Sequence, residues 1–130
     1  MGLFSRRETE KKHREIPAKW PDHVLTLTAE NFDDITGKYP LTFVDFWAPW
    51  CGPCKVMLPR LRRLEQIYRK KVVFGRLNTQ DYPDFSKRYK IMGIPHFIVF
   101  HYGKPVERRS GVTSVGDLKD TIERLLKKYQ

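Results

Sequence analysis

An α/β fold, with a central mixed sheet flanked by helices on both faces, follows from three features of the 130-residue sequence. Two runs, LTFVDFW (41–47) and KVVFGRLN (71–78), are apolar on both parities, as strands buried on both faces must be. Between and after them lie segments whose apolar residues recur every three or four positions, the spacing of amphipathic helices. A further apolar run breaks at Tyr102–Gly103–Lys104, where glycine permits a hairpin turn and the sheet must end antiparallel. The resulting order is βαβαβαββα.

The first strand is HVLTL (23–27), and Thr28 is placed to cap a helix through AENFDDI, whose acidic residues suit the positive end of a helix dipole. After LTFVDFW comes a longer helix from about Cys51 to Arg69, with Met57, Leu61, Leu64 and Tyr68 on one face and Pro59 expected to bend it. YPDFSKRY is a short helix with proline near its start. The hairpin strands follow, and Ser114 with Asp117 three residues later resembles a capping box. Val115, Leu118, Ile122, Leu125 and Leu126 stripe the closing helix. Residues 22–130 therefore read as one domain. Residues 1–21 form a basic arm without apolar periodicity, either mobile or a short helix capping the domain.

The net charge is +10, gathered near the N-terminus, at RLRR and YRKK, and in the tail. Such a field favours encounter with acidic partners, although solvated surface is the simpler reading, and no nucleic-acid motif accompanies it. No apolar run reaches the length of a membrane span, and the N-terminus has neither a secretory signal nor an intact myristoylation pattern. A cytoplasmic location is expected.

The chemistry points to WCGPCK (50–55), which holds both cysteines of the chain. On a helix's first turn, Cys51 and Cys54 come within disulfide reach, roughly 5–6 Å between Cα atoms. A ring this small restrains little of the unfolded chain, so the bond suits opening and closing better than stapling. A structural zinc needs four ligands, and His13, His23, His96 and His101 lack zinc-like spacing to the pair. Two inert core cysteines are the plainer alternative, but a strand-to-helix junction tends to expose the first sulfur. Cys51, at the helix N-terminus, is the expected nucleophile, and Cys54, one turn deeper, the resolving thiol. Gly52 allows close backbone approach, and Pro53 stiffens the first turn without wasting an N–H. Asp45 is the one carboxylate in its strand. Buried there, its pKa rises and it can take the proton of Cys54; at an exposed strand end it would do neither.

These motifs resemble the thioredoxin family over roughly Val24 to Lys128: WCGPCK after VDFWA, Pro59, RLN on the next strand, GIP at 93–95, Gly103 and Gly111. The resemblance implies a thioredoxin-like fold and a protein-disulfide reductase that binds no cofactor. It further implies a cis peptide bond at Pro95, and Trp50, Gly93 and Ile94 on an apolar rim, with Trp47 beneath the active-site loop. Its clients would be disulfide-containing proteins, its electron donor a thioredoxin reductase, and its role electron transport in cell redox homeostasis. The chain is expected to be monomeric, with neither specific nucleic acid nor membrane as partner. A specialised member that serves one acidic partner or acts as an isomerase, or a binding module using the same groove, is the alternative.

Two residues depart from the family pattern. Arg76 stands where lysine is common; it stays protonated and should hold Asp45 lower than lysine would. His96 stands where threonine is usual, directly after Pro95. It either brings a titrating charge to the substrate-binding rim or turns to the other face of its strand.

Overall fold

The computed structural model describes residues 17–129, so most of the expected arm, residues 1–16, lies outside the described residues. Trp20 packs on Tyr39, their ring centroids 5.0 Å apart. The elements are β1 (Leu25–Leu27), α1 (Phe32–Lys38), β2 (Thr42–Trp47), α2 (Gly52–Ile67), β3 (Val73–Asn78), α3 (Asp84–Arg88), β4 (His96–His101), β5 (Lys104–Ser110) and α4 (Val115–Lys128). Their order is the one the sequence predicts. The five strands form one sheet in the order β1-β3-β2-β4-β5. β1, β3 and β2 run parallel, and β4 and β5 antiparallel to their neighbours. The tight hairpin works because Tyr102 and Gly103 both adopt positive φ, 45° and 84°, which matches the twist of the flanking strands.

Alternation along β2 divides the core. Phe43 joins Met57, Leu61 and Leu64 of α2 with Leu118, Ile122 and Leu125 of α4 on one side of the sheet. Val44 and Phe46 join Phe32 of α1 and Phe85 of α3 on the other. The helical stripe read from the sequence is therefore the buried face, and helices cover both faces of the sheet. Ser114 caps α4 by accepting the Asp117 N–H at 3.1 Å.

The first helix starts later than its sequence suggests, at Phe32. Thr28 and Asn31 exchange hydrogen bonds, with Thr28 N donating to Asn31 Oδ1 (2.7 Å) and Asn31 N to Thr28 Oγ1 (3.3 Å). The exchange closes a turn ahead of the helix, the competition that Ser, Thr and Asn side chains offer to helical backbone. α2 continues through Pro59, whose missing N–H leaves the Lys55 carbonyl without its usual helical donor.

His96 pairs with Phe46 across β2 and β4, so its side chain lies on the α1 and α3 side, its ring 6.5 Å from that of Phe46. It is buried, and neither ring nitrogen has a hydrogen-bond partner among the described residues. Burial, and then the charge of Arg108, hold its pKa below the usual histidine value. Because the folded state disfavours the proton, the stability that neutral His96 contributes is present above its unfolded pKa of about 6.5. That contribution is lost as pH falls through the lower folded value. Urea unfolding at pH 7 and at pH 5.5 should therefore show a smaller acid loss in His96→Thr than in the unsubstituted chain; an equal loss would contradict this burial.

Candidate active site

The site forms where β2 leaves the sheet. After Trp47, the chain turns through Ala48, Pro49 and Trp50 and delivers Cys51 to the N-cap position of α2. Pro53 occupies the first turn, where its missing N–H costs nothing. Cys51 and Cys54 are joined by a disulfide with a Cα separation of 5.3 Å, as the spacing predicts. The Cys54 backbone N–H donates to the Cys51 sulfur at 3.2 Å. α2 has no acidic residue in its first turn to oppose negative charge there.

Both cysteines pack with Ala48, Trp47 and Ile94. Sequence reasoning expected Cys51 to be exposed, and in the disulfide it is not: 4% of its surface remains accessible, and none of Cys54. The reason is the second strand-end segment that meets the first. Ile94–Pro95 is a cis peptide, and the Ile94 carbonyl oxygen lies 3.8 Å from the Cys51 sulfur. The order of accessibility nevertheless follows the expected one, with Cys51 the outer sulfur.

Around the disulfide the surface is apolar. Trp50 is 72% exposed, and Gly52, Pro53 and Gly93 are exposed beside it. Met92, 95% exposed, and Val112, 46% exposed, were absent from the residues singled out in the sequence. Val112 joins because the Gly111 N–H donates to the Pro95 carbonyl at 2.8 Å, which ties the end of β5 to the cis peptide. That tie spans sixteen residues of chain and leaves no local pattern. Met92 had a signal, an apolar residue directly before GIP. Of the two readings of His96, substrate-binding rim or other face of its strand, the register gives the second.

Beneath the disulfide sits an ion pair. Asp45 shares the face of Phe43 and Trp47 toward α2 and is 1% exposed. Arg76 Nε donates to Asp45 Oδ2 at 2.8 Å, and Arg76 Nη2 donates to the Cys54 carbonyl at 3.3 Å. The guanidinium also lies over the Trp47 ring, 4.4 Å from its centroid. Burial lifts the Asp45 pKa from 3.8 to about 6, against the opposing hydrogen bond and charge of Arg76. Asp45 Oδ1 has no partner among the described residues, which leaves an acceptor site open on a carboxylate that titrates near neutrality. A cavity of about 570 Å³, whose walls include Trp47, Arg76, Arg62 and Tyr82, opens beside Arg76 from the β1 side. Among the described residues, no group of three or more His, Cys, Asp or Glu side chains could hold a metal ion.

The comparisons with known proteins agree with this geometry. The thioredoxin family model matches residues 23–124. The chain is 34% identical over 105 residues to thioredoxin of Buchnera aphidicola from Schizaphis graminum, covering 80% of this chain and 97% of that one. It is 41% identical over 88 residues to thioredoxin of Alicyclobacillus acidocaldarius, covering 67% and 83%. Among solved structures, a mutant thioredoxin from Halobacterium salinarum superimposes with a TM-score of 0.77 at 26% identity, over 85% of this chain and 96% of that one. With a bonded Cys51–Cys54 pair at the end of its central strand, the chain belongs to the thioredoxin family and is a protein-disulfide reductase.

Proposed function

We propose that Cys51 is the attacking nucleophile, Cys54 the resolving thiol and Asp45 the proton acceptor in a two-step exchange with client disulfides. The observation that carries this reading is the asymmetry of the pair. Only Cys51 keeps accessible surface, and its sulfur receives an N–H from the first turn of α2. A negative charge on that sulfur is favoured by the helix terminus.

In the reduced state, the Cys51 thiolate attacks one client sulfur. A Cys51–client bond forms, the client disulfide breaks, and the departing client thiolate takes a proton from solvent. Cys54 then loses its proton to Asp45 and attacks the Cys51 sulfur. The Cys51–Cys54 bond forms, the mixed disulfide breaks, and the second client thiolate is protonated. Two electrons pass to the client, and the protein ends as the disulfide. The client backbone lies in the groove between Trp50 and the Gly93–Pro95 segment, while Arg76 positions Asp45 and the Cys54 backbone together. Asp45 returns its proton through the cavity beside Arg76. Dithiol is regenerated by a thioredoxin reductase. The working form is a monomer acting as a general electron donor in cytoplasmic redox homeostasis.

Cys54→Ser should capture disulfide-bearing clients as covalent mixed disulfides through Cys51, released by dithiothreitol and visible on non-reducing gels. Partners held by this variant without a covalent bond would contradict the exchange reading. The resolving step should accelerate as pH rises through about 6, where Asp45 becomes ionised. Asp45→Asn should remove that inflection and slow resolution by about 10²-fold, within the range of general base catalysis. Arg76→Lys should move the inflection upward, and an unchanged or lower inflection in stopped-flow rate profiles would contradict the role given to the guanidinium.

A further inference from the structure

The three segments that frame the disulfide, residues 47–56, 89–95 and 108–113, carry Lys55, Lys90, Arg108 and Arg109 and no exposed carboxylate. Among the acids nearest in sequence, Asp84 is exposed at the start of α3, and the others pair with arginines or line the cavity. Glu107 pairs with Arg124 of α4, and Asp117, in the first turn of α4, faces Arg109 across 3.9 Å. Asp45 is buried against Arg76. Asp81 lies in the wall of the cavity on the β1 side.

The cations stand on both flanks of the apolar rim. Arg109 pairs with Phe97 in the β4–β5 register, which sets it on the α2 and α4 side, the side of Lys55. Arg108 pairs with Ile98 and turns to the α3 side, where its Nη2 donates to the carbonyls of Tyr89 (2.6 Å) and Lys90 (3.3 Å). Arg108 thus pins the rim segment that carries Met92. Lys55 and Lys90 are exposed and have no ion-pair partner among the described residues. A docked client therefore meets an apolar centre with unpaired positive charge on either side.

We propose that the preferred client is an acidic polypeptide segment: a disulfide flanked by Asp or Glu residues, lying across Trp50 and Val112 with carboxylates over Lys55 and Arg109 on one flank and over Lys90 on the other. This specificity rests on the reductase reading above. Opposite charge across a docking face raises the rate of encounter and fixes orientation, while like charge rejects competitors. A polypeptide fits this face better than a nucleic acid does, because the apolar rim surrounds a sulfur that only a disulfide-bearing chain can engage.

The test uses the full chain, reduced beforehand, in single turnovers followed by tryptophan fluorescence. Three synthetic peptides share one intramolecular disulfide and differ only in acidic, neutral or basic flanks. The acidic peptide should be reduced about tenfold faster than the basic one at low salt, and the gap should close near ~0.5 M salt. In the double variant Lys55→Glu with Arg109→Glu, the ratio of acidic to basic rates should fall below one. Equal rates for all three peptides would overturn the proposal and leave the reductase reading intact, whereas no reduction even of the neutral peptide would remove the reductase reading itself. An acidic preference undiminished in the double variant would mean that distant charge sets it, and the proposal fails. It fails equally if a single-stranded oligonucleotide displaces the acidic peptide better than a disulfide-free acidic peptide of equal charge does.

Discussion

The hydrogen bond from the Cys54 N–H to the Cys51 sulfur, 3.2 Å long, is the contact through which the fold acts on its chemistry. An α-helix begins with N–H groups that lack partners inside the helix, and here one of them is aimed at sulfur rather than at the side-chain oxygen of Ser, Thr or Asp. The same donor that would otherwise stabilise the helix is available to stabilise a thiolate. For this to work, α2 must start where β2 ends, and it must be held there. The burial of Met57, Leu61 and Leu64 against Phe43 and Phe74 fixes the helix on the sheet. Arg60 Nη1, donating to the Thr113 carbonyl at 2.8 Å, ties it to the loop before α4. Redox position thus follows from ordinary core packing.

The Asp45–Arg76 pair couples that core to the second cysteine. A lone carboxylate so deeply buried would be costly to ionise, and one guanidinium recovers part of the cost without abolishing it. The balance leaves the group titrating near neutrality, which is where a proton acceptor is useful. Alternation along β2 and β3 makes this possible. Asp45 and Arg76 are register partners on adjacent parallel strands and share the face that carries α2. Arg76 then reaches the Cys54 carbonyl as well, so one side chain orients both the Asp45 carboxylate and the Cys54 backbone. Asp45 ionisation also has a stability cost of definite sign. With its folded pKa above the unfolded one, the protein gains stability as pH falls from about 6 toward 4. His96 acts in the opposite direction over an overlapping range.

The layout was legible in the sequence wherever one face of an element dominates. Two strands apolar on both parities demanded cover on both sides, and the Met57–Leu61–Leu64 stripe supplied it on one. Cys51 and Cys54 were legible because a spacing of three at a helix start has few uses. The burial of Asp45 followed from its neighbours. What stayed hidden depends on distant segments. The cover over Cys51 comes from Ile94, forty-three residues away, which local periodicity does not reveal. The late start of α1 reflects a side-chain exchange between Thr28 and Asn31, which competes with helix on nearly equal terms. The orientation of His96 was open until strand register set its parity, and two readings of one residue were decided by a shift of one position.

The central claim is that the Cys51 sulfur is the thiolate of the pair. Brief alkylation of the reduced chain with iodoacetamide across pH 5 to 10, with the labelled residue identified by mass spectrometry, tests it most directly. Label should appear on Cys51 first, with an apparent pKa clearly below the ordinary thiol value of about 8.5. Label arriving first on Cys54, or a Cys51 pKa at or above that value, would contradict the account.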